Sequence, residues 1–514
     1  MRSALRPQLI RPALRPNAAA GRVPAAPAAR PPASRAYSGP TYTGIKNPKP
    51  PVMGQPLAKT HAHLVREGEL TPGVTPEEYE DRRRRLMESL PAGAVVVCMG
   101  GTVRLVSQQI FYKFRQSTDF FYLTGFDEPD ATVVLGYKYI LFVPPRDRHE
   151  LLWSGERTGV DEAVTTFGAD EAYPNSHLSE HLSRYLGYES IYASLPPSPS
   201  PSAASQPISP SSPRRRSSLL KFFAPSEEHK FDARDPPHLM LAAALAGNKA
   251  KPLEQVTHRL RVRKSDAELR LMKKAADISG LAHKKVMGFA KVGGTEAQIA
   301  ARFEYECALN GSERPAYVPV VASGANSLVI HYTRNDCVLD ENDMVLIDAG
   351  GEFHMYASDI TRTFPVNGRF TDPQRDLYQA VLNVQKECVK RCVLNEGVTM
   401  NELHRIKLRQ IGFTLSTGDV ERKLYPHFLT HHVGSDLHDC PSADRSALLQ
   451  EGNVLTIEPG VYVPFDDKFP KHFQGLGVRI EDEVAMTNRG PWVLTELAPK
   501  EIRDVEAAAQ AKVE

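Results

Sequence analysis

Four acidic residues are carried on otherwise apolar runs. Asp348 closes Met344-Val-Leu-Ile-Asp348, Asp359 opens Ser358-Asp-Ile-Thr-Arg-Thr363, Glu458 closes Val454-Leu-Thr-Ile-Glu458, and Glu481 follows Val478-Arg-Ile480. Short apolar runs of this kind read as buried strands. A carboxylate carried into such surroundings needs a partner, because a lone buried charge is strongly unfavourable. Any one of the four, taken alone, reads equally as a turn cap or an ion pair. Together they would repel one another severely, and two divalent cations would neutralise four carboxylates. The set therefore reads as one dinuclear site, and the fold has to bring distant strand ends to a common point.

A histidine completes the set, and His427-Phe-Leu-Thr-His431-His432-Val-Gly434-Ser-Asp-Leu-His438 offers several. If this segment is extended, His427 and His431 share one face and His432 points away, so only one of the adjacent pair serves the site. The same parity places Arg479 beside Glu481, with Val478 and Ile480 packed behind. Oxygen-rich ligation with a single imidazole favours Mn²⁺, with Co²⁺, Zn²⁺ and Fe²⁺ as substitutes. A metal pair activates water at neutral pH and polarises a carbonyl, which is the chemistry of hydrolysis.

The 514 residues exceed what one core supports and imply two or three units. With 41% hydrophobic residues, 24% charged residues and a formal charge of +2, nothing draws the whole chain to nucleic acid or an anionic membrane. No apolar run approaches the ~20 residues of a membrane span, and the richest, residues 239–246, is an alanine-heavy helical segment. Six scattered cysteines form neither a zinc-finger spacing nor a disulfide framework, which fits a reducing compartment. Cys388 and Cys392 fall in the core pattern of Leu377, Val381 and Val384.

The first 35 residues hold seven arginines, and no acid precedes Glu67. That composition, ending in Arg35-Ala-Tyr37-Ser38, predicts a mitochondrial targeting presequence over residues 1–38 and a matrix destination, although Pro7, Pro12 and Pro16 keep any helix short. A linker is expected over residues 39–60 and an α/β domain over 61–250. In that domain Thr75-Pro-Glu-Glu78 reads as a capping box opening a helix with Tyr79, Leu86 and Leu90 inward and the arginines of residues 82–85 solvated. Ala94-Val-Val-Val-Cys98, Ala131-Thr-Val-Val-Leu135 and Tyr139-Ile-Leu-Phe-Val143 read as strands. Of the 24 positions from 195 to 218, 16 are Ser or Pro, which predicts a disordered insert over about residues 195–230. A second domain is expected over residues 251–500, with capping boxes at Ser265/Glu268 and Thr295/Gln298, followed by a tail over 501–514.

These residues resemble the pita-bread metallopeptidases, and within them the aminopeptidase P (Xaa-Pro aminopeptidase) branch with its mitochondrial intermediate cleaving peptidases and mitochondrial Xaa-Pro aminopeptidases. The blocks that carry the resemblance are Asp348-Ala-Gly350, Ser358-Asp-Ile-Thr-Arg-Thr-Phe-Pro-Val-Asn-Gly368, Thr456-Ile-Glu-Pro-Gly460 and Arg479-Ile-Glu-Asp482, with Arg115-Gln-Ser-Thr-Asp-Phe-Phe-Tyr-Leu-Thr-Gly-Phe-Asp-Glu-Pro129 in the first domain. The resemblance implies a ribonuclease-H-like amino-terminal domain followed by a pita-bread α+β catalytic domain. Counting from Gly434, it implies His431 as the liganding imidazole. It further implies two metal ions held by Asp348, Asp359, His431, Glu458 and Glu481, with Glu458 also the general base. His331 and His438 would stabilise the intermediate or shuttle its proton, and His427, Arg479, Tyr462 and Tyr317 would line the substrate pocket. Tyr317 reads equally as a packed aromatic. Thr361 is expected to donate a hydrogen bond to a liganding acid. Trp153 matches a family residue that reaches a neighbouring subunit, which implies a homodimer or homotetramer; a buried structural tryptophan is the alternative.

The implied substrates are peptide or protein amino termini. The enzyme would remove either a Tyr, Leu or Phe left by presequence cleavage or any residue before proline, and the leader favours the first. A prolidase would share the ligands, and a methionine aminopeptidase has no reason to carry the first domain. A pita-bread binding module or a metal-free creatine-type hydrolase would lack the acids. The Ser/Pro insert departs from the family pattern.

Overall fold

Continuous apolar runs such as Val95–Met99 suit a strand covered on both faces, and that is where this strand lies. The computed structural model describes residues 54–195, 236–410 and 423–511. The expected presequence and the Ser/Pro insert beyond Leu195 lie outside the described residues. Val95–Met99 pairs antiparallel with Thr132–Leu135 and parallel with Ile191–Ser194 inside a six-stranded mixed sheet. Its side chains alternate between two cores. Val96 and Cys98 pack with Tyr79, Leu86 and Phe120, whereas Val95 and Val97 pack with Leu178, Leu182 and Leu241.

The first helix, Pro76–Glu88, departs from expectation in two ways. Thr75 caps it by accepting the Glu78 amide, but the Glu78 carboxylate does not return the bond. It pairs instead with Arg82 at 2.7 Å and accepts the Ser265 hydroxyl at 2.6 Å. Nor is the arginine run solvated throughout. Arg82 is fully buried, 5.0 Å from the Tyr79 ring centre and 4.4 Å from that of Tyr122. Arg83 lies 4.0 Å over Tyr139, because a flat guanidinium stacks on aromatic faces. Only Arg84 is exposed.

In the second half, Ser265/Glu268 and Thr295/Gln298 form complete capping boxes on the helices Asp266–Phe289 and Glu296–Leu309. Val320–Ser323, Met344–Asp348 and Thr361–Pro365 make a three-stranded antiparallel sheet. Val454–Ile457 pairs with Asp482–Thr487, and Gly460–Tyr462 with Gly477–Arg479. The stretch expected as a tail is the helix Ile502–Gln510, which buries Val505 and Ala508. Within the expected linker, Gln55 is buried and donates to the Gly125 carbonyl at 2.8 Å. Cys388 and Cys392 are core residues. Tyr79 and Phe120 share one core with Leu271, Tyr356 and Val433, so both halves contribute to it. No helix among the described residues is long and apolar enough to cross a membrane.

Candidate metal centre

Register brings the acids together. Asp348 stands opposite Thr361 and Val320 at the end of its strand. The Glu481 amide donates to the Thr361 carbonyl at 3.1 Å, which ties Glu481 to the same edge. The histidine segment is not a strand over its length, but residues 429–433 run antiparallel beside 454–458. The Thr456 amide donates to the His431 carbonyl and the Glu458 amide to the Leu429 carbonyl, both at 2.9 Å. Local parity therefore applies. His431 faces the acids, with Nε2 3.3 Å from Asp359 Oδ2 and 3.6 Å from Glu458 Oε1. His432 turns away toward Lys264 and is held neutral, its pKa pushed down to about 4 by burial and by that lysine.

Donor atoms of Asp359, His431 and Glu481 all lie within 4.8 Å of one another. Asp359 and Glu481 are buried, whereas Asp348, Glu458 and His431 remain partly open to solvent. His431 Nδ1 lies 2.9 Å from the His432 carbonyl, which can only accept, so this nitrogen carries a proton and Nε2 is the one presented to the acids.

The electrostatics show what the set lacks. Burial, and then the Asp359 and Glu458 charges, push Glu481 well above the carboxylate range. Burial raises Glu458 to about 7 against the pull of His431, and raises Asp348 against Arg479. Burial opposes protonation of His431, yet Asp359 and Glu458 raise it to about 9. Four carboxylates thus face two cationic side chains, Arg479 and His431; against its burial, Asp359 is kept ionised by His431, whereas Glu481, Glu458 and Asp348 are pushed toward their protonated forms for want of positive charge. An oxygen-rich donor set short of positive charge fits divalent cations.

A supporting chain surrounds the donors. Thr361 Oγ1 donates to Glu481 Oε2 at 2.6 Å and accepts from Arg479 Nε at 2.9 Å. Arg479 also donates to Asp348 Oδ2 at 2.6 Å and to the Tyr462 hydroxyl at 2.7 Å. Tyr462 lies 2.9 Å from His427 Nε2, and His427 Nδ1 lies 3.5 Å from Glu458. The Tyr317 hydroxyl lies 2.5 Å from Asp348 Oδ1 and 2.8 Å from Asp359 Oδ1 and shares its single proton between them, so this side chain joins two of the acids rather than merely packing. The His438 ring sits 4.4 Å from that of His431, and desolvation and the His431 charge push its pKa down.

His331 follows the 3-10 helix Gly324–Leu328 in an exposed turn, near enough to depress the His438 pKa. Its loop is held by the buried Glu296, whose carboxylate accepts from Ser323, Asn326, Tyr332 and the Cys337 amide. Trp153 is 75% exposed on the helix Arg148–Ser154, so the buried structural alternative does not hold.

Sequence reasoning missed several members. Thr456 accepts the His431 amide at 3.1 Å and donates to Glu458 at 3.3 Å, and Glu483 accepts the Asp359 amide. Both share strand parity with an expected ligand two residues away, a signal that was available. Tyr425, which donates to the Glu458 carbonyl at 2.9 Å, and Glu296 gave none, because their partners are distant in sequence.

Known proteins carry the same two parts. The model of the aminopeptidase P N-terminal domain matches residues 79–192, and that of metallopeptidase family M24 matches residues 270–488. Intermediate cleaving peptidase 55 of Saccharomyces cerevisiae is 36% identical over 473 residues, which cover 89% of this chain and 88% of that one. The chain belongs to metallopeptidase family M24. The crystal structure of the yeast protein matches this M24 peptidase with a TM-score of 0.72 at 34% identity, covering 87% of this chain and 100% of that one. The mitochondrial intermediate cleaving peptidase 55 of Arabidopsis thaliana is 37% identical over 463 residues, 88% of this chain and 87% of that protein. Xaa-Pro aminopeptidase 3 of Homo sapiens is 37% identical over 494 residues, 88% and 90% respectively. This M24 peptidase is thus an aminopeptidase P-type metallopeptidase, with an aminopeptidase P amino-terminal domain and a pita-bread catalytic domain. Membership implies divalent metal ions and a peptide substrate.

Proposed function

We propose that this enzyme is a dinuclear-metal aminopeptidase that removes a single amino-terminal residue from imported mitochondrial proteins after their presequences are cut. The observation that carries the reading is the convergence of four carboxylates and the His431 imidazole in one site short of positive charge. Asp348, Asp359, His431, Glu458 and Glu481 would hold two ions, and the oxygen-rich set favours Mn²⁺. Bound there, the ions supply Lewis acidity toward the peptide carbonyl and acidify water.

The chain's own groups do the rest. Glu458, within 3.6 Å of His431 and 3.5 Å of His427, takes the proton of the attacking water. His438 and His331, both exposed and close enough to interact electrostatically, donate to the developing oxyanion and pass the proton to the leaving amine. Arg479, Tyr462 and His427 form one hydrogen-bonded wall that orients the peptide, and Tyr317 holds Asp348 and Asp359 at their spacing.

The arginine-rich leader and the similarity to a plant relative named mitochondrial support a mitochondrial location, and the form of the leader supports the matrix. Trp153, exposed on its helix, is available to a second copy in a homodimer or homotetramer. A second reading, a general Xaa-Pro aminopeptidase, is favoured by the similarity to Xaa-Pro aminopeptidase 3. Peptides beginning Tyr-Ser and Tyr-Pro, incubated with Mn²⁺-supplied enzyme, separate the two. Release of tyrosine from Tyr-Ser supports presequence trimming, and release from Tyr-Pro alone supports the second reading. Inertness toward both rejects each, and cleavage of dipeptides but not tripeptides would identify a prolidase.

A further inference from the structure

His438 stands on a short loop, residues 434–440, between Asp436 and Asp439, whose carboxylates join a largely buried ionic network in which Asp439 is enclosed and Asp436 partly open to solvent. Arg261, almost wholly buried at the end of the helix Glu254–Arg261, is its hub. One amino group donates to Asp119 Oδ1 at 2.6 Å, and the other to Asp436 Oδ2 at 2.8 Å and to Asp439. Lys264 donates to Asp439 Oδ2 at 2.8 Å. From the amino-terminal domain, Thr118 donates to Asp436 Oδ1 at 2.6 Å and Arg115 to the Ser435 carbonyl. Asp119 is in turn fixed by the Thr257 hydroxyl at 2.8 Å.

Backbone bonds make the loop compact. The Asp439 amide donates to the His432 carbonyl at 2.9 Å and the Gly434 amide to the Asp436 carbonyl at 3.1 Å. A Cβ at Gly434 would come within 2.6 Å of Asp439 Oδ2 and 2.8 Å of Lys264 Cε, so only glycine lets the clamp close.

Buried ion pairs of this kind add little to stability compared with apolar packing, because desolvation offsets their attraction. What they do supply is geometry, since a guanidinium fork fixes its carboxylates in direction as well as distance. The groups so fixed are Asp436 and Asp439, and the residue between them that faces His431 is His438. We propose that Thr118, Asp119 and Arg261 are positioning residues for His438, so that the amino-terminal domain completes the active site by clamping the loop that carries it. The proposal rests on the reading of His438 as a donor to the reaction intermediate.

Full-length, Mn²⁺-loaded enzyme carrying Thr118→Val or Arg261→Lys tests it, each in the wild-type and in the His438→Ala background. With His438 present, kcat should fall about tenfold or more in either variant, since a misplacement of about 1 Å can cost about a hundredfold. KM and metal content should stay unchanged. With His438 replaced, neither variant should lower kcat further. An unchanged kcat in both single variants would overturn the proposal, as would the same fold loss in both backgrounds. Thr118→Val alters only one hydroxyl and remains decisive if Arg261→Lys does not fold. A normal kcat in His438→Ala alone would instead strike at the role given to His438 itself.

Discussion

Thr361 directs its hydroxyl at Glu481 Oε2 from 2.6 Å, and both side chains are shut off from solvent. The Thr361 hydroxyl oxygen in turn accepts from Arg479 Nε at 2.9 Å, so one small side chain orients both an expected ligand and the arginine that holds Asp348. Thr361→Val keeps the shape and removes the bond. Metal affinity should fall by about 10- to 100-fold while the fold survives, as for other partners that orient ligands. Calorimetric titration with Mn²⁺ checks this, and Thr361→Ser should restore most of the affinity.

Repulsion among the carboxylates makes a further prediction about stability. Burial and three neighbouring acids, Asp359, Glu458 and Asp348, hold Glu481 well above the carboxylate range, so like charge is crowded in the metal-free site. Ions that bind only the folded chain should stabilise it by about 2.7 kcal/mol at a hundredfold excess over Kd. Glu481→Gln should abolish activity and most of that gain, yet leave the metal-free protein no less stable than wild type. Melting temperatures with chelator and with Mn²⁺ measure both effects. A metal-free Glu481→Gln that melts well below wild type would contradict the account.

The site was legible because its determinants are local. Asp348 and Glu458 end apolar runs, and alternation separates His431 from His432 without any tertiary information. The caps at Ser265 and Thr295 are equally local, and both form in full. What escaped depends on partners remote in sequence. Glu78 satisfies the capping pattern, but Arg82 and Ser265 compete for its carboxylate. Arg82 reads as solvated until Tyr122 is placed over it, and nothing near His331 in sequence shows that Glu296 gathers its loop into turns. Glu483 and Thr456 are the exceptions, since their two-residue spacing from Glu481 and Glu458 made them visible.

Acid should loosen the histidine loop in two stages. Burial and Lys264 hold the pKa of His432 at about 4, against about 6.5 in the unfolded chain. The unfolded state therefore binds the proton more readily, and stability is lost as pH falls from about 6.5 toward about 4. Asp439 acts lower down. Burial opposes its charge, but Arg261 and Lys264 outweigh that and hold it well below the carboxylate range, so its contribution is present above about pH 4 and lost beneath it. Between pH 7.5 and pH 5 His432 alone should account for roughly 2 kcal/mol, measured by urea unfolding. His432→Gln should flatten that decline; an equal decline in the variant would rule His432 out.

Arg82 should prove a structural keystone rather than a surface charge. Its guanidinium lies between Tyr79 and Tyr122, 2.7 Å from Glu78 and 3.7 Å from Glu268, and none of it is exposed. Among the described residues, removing it leaves Glu78 with only the Ser265 hydroxyl and the buried Glu268 with only the Ser265 amide and Tyr356 hydroxyl, with no ion-pair partner for either, and breaking a buried pair in this way costs about 3–5 kcal/mol. Arg82→Ala should lower the urea midpoint accordingly, whereas Arg84→Ala, which loses only exposed pairs, should change it by less than about 1 kcal/mol. Arg82→Lys keeps the charge but loses the flat stacking and the fork, so it should fall between the two. If Arg82→Ala were as stable as Arg84→Ala, the aromatic sandwich would carry no weight in the fold. The Glu78 carboxylate would then be free to close the capping box that it leaves open here.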